Sequence, residues 1–119
     1  MAILDDLRQA GAQAISAGAS SARAQGIALR ADFENLVRPN LDSILAEIAA
    51  ITEDAIAGNI DTEQAQDDLK AQTDRVRTLI LTIAELTLLA VQSIINAVIE
   101  AVRTVVNTAS THAVGFGLL

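Results

Sequence analysis

From Thr62 to Ser110 the chain runs 49 residues without a glycine or a proline. At 1.5 Å per residue that stretch makes a helix about 70 Å long. Its first third is polar (Glu63, Gln64, Gln66, Asp67, Asp68, Lys70, Gln72 and Asp74) around Ala65 and Leu69, and the remainder is very apolar. A helix apolar around most of its circumference must be covered on several sides. One short partner is not enough, but the residues ahead of it total a similar length. The expected fold is therefore all-α: an elongated helical hairpin or three-helix arrangement with one very long C-terminal helix, its core completed by self-association. Residues 1–119 read as a single helical domain, with helices about 3–37, 40–57 and 62–110 and an apolar tail over 111–119.

The first arm carries Ile3, Leu4, Leu7, Ala14, Ile15, Gly18 and Ala22, then Leu29, Phe33 and Leu36, at three-and-four spacing. Ala14, Gly18, Ala22 and Gly26 recur every four residues, a ridge of small side chains on which another backbone can pack closely. The same glycines weaken the helix near 17–26, since each costs about 1 kcal/mol relative to alanine. Pro39 lacks an N–H and disfavours helical geometry at Arg38, so it predicts a kink or a stop. Leu41, Ile44, Leu45, Ile48, Ile51, Ala55 and Ile56 then make one apolar face of a second helix. Gly58-Asn59 ends it, and Asp61 with Gln64 three residues later has the pattern of a capping box.

Composition narrows the function classes. Aromatics are two Phe with no Tyr or Trp, while alanine contributes 23 residues, so the core must be aliphatic and helical. A net charge of −7 argues against nucleic-acid binding, which needs a basic face. The charge is concentrated in one place: residues 41–74 hold nine acids and one base, and the flanking segments nearly balance. With no Cys and the single His112, disulfide frameworks, thiol nucleophiles, zinc sites and di-iron carboxylate–histidine centres all fail on residue count. A calcium-loop reading of Asn59–Lys70 fails too, because Gln64 stands at its glycine position and Lys70 at its bidentate glutamate. Neither a nucleophile elbow nor a phosphate loop nor a dinucleotide fingerprint occurs. No catalytic residue, cofactor, metal ligand or small-molecule substrate is assigned.

Two features remain as candidate interaction sites. On one continuous helix, Thr78, Glu85, Gln92, Asn96, Glu100, Arg103 and Asn107 share a narrow polar sector within an apolar surround, of which Glu85, Gln92, Asn96, Glu100 and Arg103 are the candidate interaction residues. Past the expected helix end, Phe116, Leu118 and Leu119 give an apolar tail interrupted by Gly115 and Gly117, suited to docking on a neighbour's groove or on its own subunit. These features predict a non-enzymatic, homo-oligomerising helical protein with a structural or assembly role; the comparison with phage, virion and filament components is one of type only. The alternative is a membrane-active or pore-forming protein that inserts residues 78–102, which are long enough to span a bilayer. The acids and amides inside that span, at roughly 2.5–3.5 kcal/mol for a central acid, count against it. No secretory signal is expected from the N-terminal residues, and a soluble cytoplasmic or particle location is favoured over a membrane.

Overall fold

The computed structural model describes residues 3–119, which form four helices: α1 (Ile3–Ala24), α2 (Phe33–Ile56), α3 (Thr62–Ala84) and α4 (Leu88–Val114). They run up, down, up and down in a bundle 45 × 24 × 21 Å along its principal axes. The most extensive contact joins α1 to α4, followed by α2 with α3. The α1–α2 and α3–α4 pairs close the ring, and α2 reaches α4 across the centre. The fold is all-α, as the periodicity predicts, but it is a four-helix bundle and not a hairpin around one long helix.

The 62–110 helix is broken at Glu85-Leu86-Thr87. Glu85 takes the left-handed conformation (φ 56°, ψ 34°), and its N–H donates to the Leu81 carbonyl at 3.2 Å, closing α3. Thr87 opens α4 from an extended conformation, its hydroxyl accepting the Ala90 N–H at 3.3 Å. The driving force is burial. Folding the stretch back on itself seats α4 chiefly on α1 and α3 chiefly on α2, and presents Val76, Ile80, Val91, Ile95, Val98 and Val102 to one shared core. That core closes inside one chain, with Leu7, Ile15, Phe33, Leu45, Ile48 and Ile94 from the other elements and faces.

The first arm is also two pieces. It stays helical through Gly18 and ends at Ala24, where the Ile27 N–H reaches back to the Ala22 carbonyl at 3.0 Å and Gly26 holds φ 85°. These bonds make a Schellman motif. Leu29 is buried in the connection, whereas Phe33, Leu36 and Val37 belong to α2 and not to the first helix. Pro39 neither stops nor starts a helix. It sits on the exposed side of α2, inside the span, where its missing N–H is tolerated because the helix is anchored on both sides by Val37 and Leu41.

The turn between α2 and α3 follows expectation. Gly58 has φ 79°, the Asn59 N–H reaches the Asp54 carbonyl at 2.8 Å, and the Asp61 carboxylate caps α3 by accepting the Gln64 N–H at 2.7 Å. The second half of the capping box does not form. The Gln64 side chain turns forward and donates to Asp68 at 2.8 Å.

Candidate functional site

The bundle has two poles. At one lie the α1–α2 connection and the α3–α4 turn. Arg23 on α1 grips Glu34 on α2 through both guanidinium nitrogens (3.1 and 3.0 Å) and donates to the Arg30 carbonyl at 2.8 Å. Arg30 in turn donates to Asp32 at 2.6 and 3.3 Å, which explains why Asp32 begins α2 without capping it. The Glu85 carboxylate contributes to the field at Arg30, so the two connections are neighbours. Hydrogen bonding from Arg23 holds the Glu34 carboxyl below the ordinary glutamate range, and Arg30 does the same for Asp32. A carboxylate depressed in the folded state stabilises at pH values above its unfolded pKa, and that contribution disappears as pH falls through the folded value. Wild type is thus expected to lose more stability between pH 7 and pH 3 than Glu34→Gln, a modest difference read from urea midpoints. Equal losses would mean that the Arg23 grip does not hold in solution.

At this pole Leu88 and Leu89 project from the first turn of α4, 46% and 89% exposed, and Leu36 on α2 is also exposed. At the other end of α4, about 40 Å away by helical rise, Val114 and Phe116 are exposed in the same way. The acidic segment occupies that second pole: Glu53, Asp54, Asp61, Glu63 and Asp67 lie exposed around the α2–α3 turn. Among the described residues no three His, Asp or Glu side chains converge as a metal site would require. His112 is exposed in the last turn of α4, beside a shallow groove shared with Ile3 and Asp6 of α1.

The small-residue ridge divides. A Cβ built on Gly18 would sit 3.2 Å from the Ile94 Cα, so α1 and α4 pack backbone-close at this glycine. Ala22 is buried beside it and Ala14 is half-buried. Gly26 leaves the ridge altogether: it lies in the turn after α1, with nothing within 4 Å of its Cβ position. The close approach is made within the chain, between α1 and α4.

The polar sector also divides, because Glu85 closes α3 and no longer shares a helix with the others. Gln92 donates to Asn96 at 2.8 Å and Arg103 to Glu100 at 2.8 Å, all on the outer side of α4. Together with Arg77, the Asn96, Glu100 and Arg103 side chains border a groove of about 630 Å³ between α3 and α4. Farther along, a groove of about 400 Å³ is edged by Lys70, Arg77, Ile99 and Leu119.

The tail returns to its own chain. Gly115 turns it back with φ 88° and ψ 1°, and Leu118 is 4% exposed. Asn107 accepts the Leu119 N–H at 2.8 Å and donates to the Leu119 carbonyl at 3.4 Å, while the Ser110 hydroxyl accepts the Leu118 N–H at 3.2 Å. Gly117 lies flat on this clamp: a Cβ there would come within 2.7 Å of the Asn107 Cγ. Phe116, by contrast, remains 46% exposed and does not dock. Asn107 and Ser110 were not identifiable as tail receptors from sequence. Asn107 extends the polar sector, but no spacing rule pairs a mid-helix amide with a backbone 12 residues on. Comparison with known protein families, with curated proteins and with solved structures returned no match.

Proposed function

We propose that this protein is a non-catalytic helical building block that self-associates through the apolar poles of its bundle, a structural or assembly role of the filament or virion-subunit type. The observation carrying this reading is the placement of the exposed large apolar side chains. Leu88 and Leu89 stand at one end of α4, and Val114 and Phe116 at the other. Two unlike apolar ends on an elongated body favour a head-to-tail contact, which propagates instead of closing. Charge favours the same orientation. Joining two acidic α2–α3 poles would set like charges together, whereas the opposite pole pairs its arginines with nearby acids.

Leu89→Lys tests this by placing a charge in the contact. Light scattering after size exclusion, across a dilution series, is expected to give a multimer for wild type and at least a tenfold weaker association for the variant. A wild-type monomer at every concentration, or a variant indistinguishable from wild type, would overturn the reading.

A second reading rests on α4 itself. Leu88–Val114 is, among the described residues, the one helix long and apolar enough to cross a membrane, with mean hydropathy 1.5 over its best window. In the bundle a turn at Glu85 divides 78–102 between α3 and α4, so inserting that span would require the bundle to open and the turn to straighten, whereas inserting α4 would require only the opening. Flotation with liposomes and release of an entrapped dye would favour this reading over the first.

A further inference from the structure

The tail clamp is a receptor for extended backbone, and its ligand is part of the same chain. One amide side chain, Asn107, meets both the N–H and the carbonyl of Leu119, and Ser110 meets the N–H of Leu118. Such a clamp reads main chain, a side chain at Gly117 would displace the Asn107 amide, and one apolar pocket takes Leu118. Nothing in it requires the ligand to come from the same copy.

We propose that the segment Gly115–Leu119 exchanges between copies, the Asn107–Ser110 clamp of each chain taking the tail of the other to make a reciprocal dimer. This rests on the self-association reading; the clamp residues Asn107 and Ser110 are not part of the apolar poles, although Phe116 of one pole moves with the tail.

The hinge is Gly115. In the closed form its positive φ reverses the chain onto α4. A helical φ at the same residue would extend α4 and carry the tail forward. The chain's own Asn107 then lies eight residues back, about 12 Å behind the hinge. The remaining residues, extended to about 3.4 Å each, point away from it. They are placed to enter the clamp of a second copy whose α4 approaches antiparallel, a two-fold arrangement in which each chain gives and receives one tail. The contacts made in trans repeat those made in cis, so exchange needs no new interface. The acidic α2–α3 turns share this pole and oppose the approach at low salt, so the dimer strengthens as salt screens them.

Gly115→Ala isolates the hinge. Open space surrounds its Cβ position, so the substitution acts on conformation and not on packing. Alanine disfavours the left-handed φ by about fivefold, and because two hinges open per dimer the dimerisation constant should rise about 25-fold. The full chain is measured at high salt in the Leu89→Lys background, which removes the pole contact, with helix content monitored by circular dichroism. The expected result is a mostly dimeric Gly115→Ala/Leu89→Lys protein that returns to monomer when residues 116–119 are removed, because no tail is then left to exchange. A dimerisation constant unchanged by Gly115→Ala would overturn the proposal while leaving the pole reading intact. So would a dimer that persists without residues 116–119.

Discussion

Replacing Phe33 with alanine is expected to cost about 3–5 kcal/mol, a large fraction of the 5–15 kcal/mol that usually holds a domain together. Phe33 opens α2 and is fully buried, the one aromatic side chain in a core otherwise made of Leu, Ile, Val and Ala. An aliphatic core has no second large ring to swing into the space, and the α1–α2 connection pins the backbone through Arg23, Glu34 and Arg30. The void therefore persists. Urea unfolding followed by circular dichroism should show the midpoint falling with little change in slope, and the melting temperature dropping by something on the order of 15 °C. A loss below about 1.5 kcal/mol would mean that this end of the bundle relaxes into the space, and that Phe33 is not its anchor.

Gly18→Leu is expected to be nearly as damaging, by the opposite route. The built Cβ already meets the Ile94 Cα at 3.2 Å and both of its γ carbons at 3.4 Å. Backbone cannot rotate aside, so the leucine must push α1 off α4 along the most extensive contact in the bundle. Overpacking of this kind costs about 1–3 kcal/mol and sometimes more, and a site facing backbone belongs at the upper end. Gly18→Ala separates the two opposing effects. Alanine gains about 1 kcal/mol of helix propensity, against a contact that requires Ile94 to shift by a few tenths of an ångström. Near-neutrality for alanine and about 3 kcal/mol lost for leucine, in the same urea experiment, is the expected pattern. A leucine variant as stable as wild type would show that α1 is not seated on α4 at Gly18.

These two sites differ in how far they can be read from residues alone. Gly18 sits on a four-residue ridge that announces close packing, but its partner is not visible: a small-residue ridge serves a second subunit or a neighbouring helix equally well. Phe33 falls on the three-and-four spacing, yet the spacing assigns it to the first helix. The chain ends α1 just ahead of Gly26 and not at Gly18 because a mid-helix glycine facing another backbone is compensated by packing. Gly26, with no neighbour, spends its freedom on a left-handed turn.

The break at Glu85 is the largest departure, and its cause is specific. The buried positions Val76, Ile80, Ala84, Val91, Ile95, Val98 and Val102 keep helical three-, four- and seven-residue steps straight across it. Periodicity therefore gives no sign of a turn, and the left-handed residue is a glutamate instead of a glycine. The one local cue is Thr87, which caps α4. Threonine is common enough inside helices to carry little weight by itself.

What the residues determined unaided is the helical class, the aliphatic core, the apolar face of α2 and the stop and restart at Gly58 and Asp61, because each depends on neighbours within one or two turns. What only the tertiary structure decided is where the long apolar stretch folds back, which helix receives Gly18 and where the tail docks. Each of those is set by burying surface against residues far away in the chain. The gain from covering α4 with its own chain outweighs a strained Glu85, and that balance is not written in any local pattern.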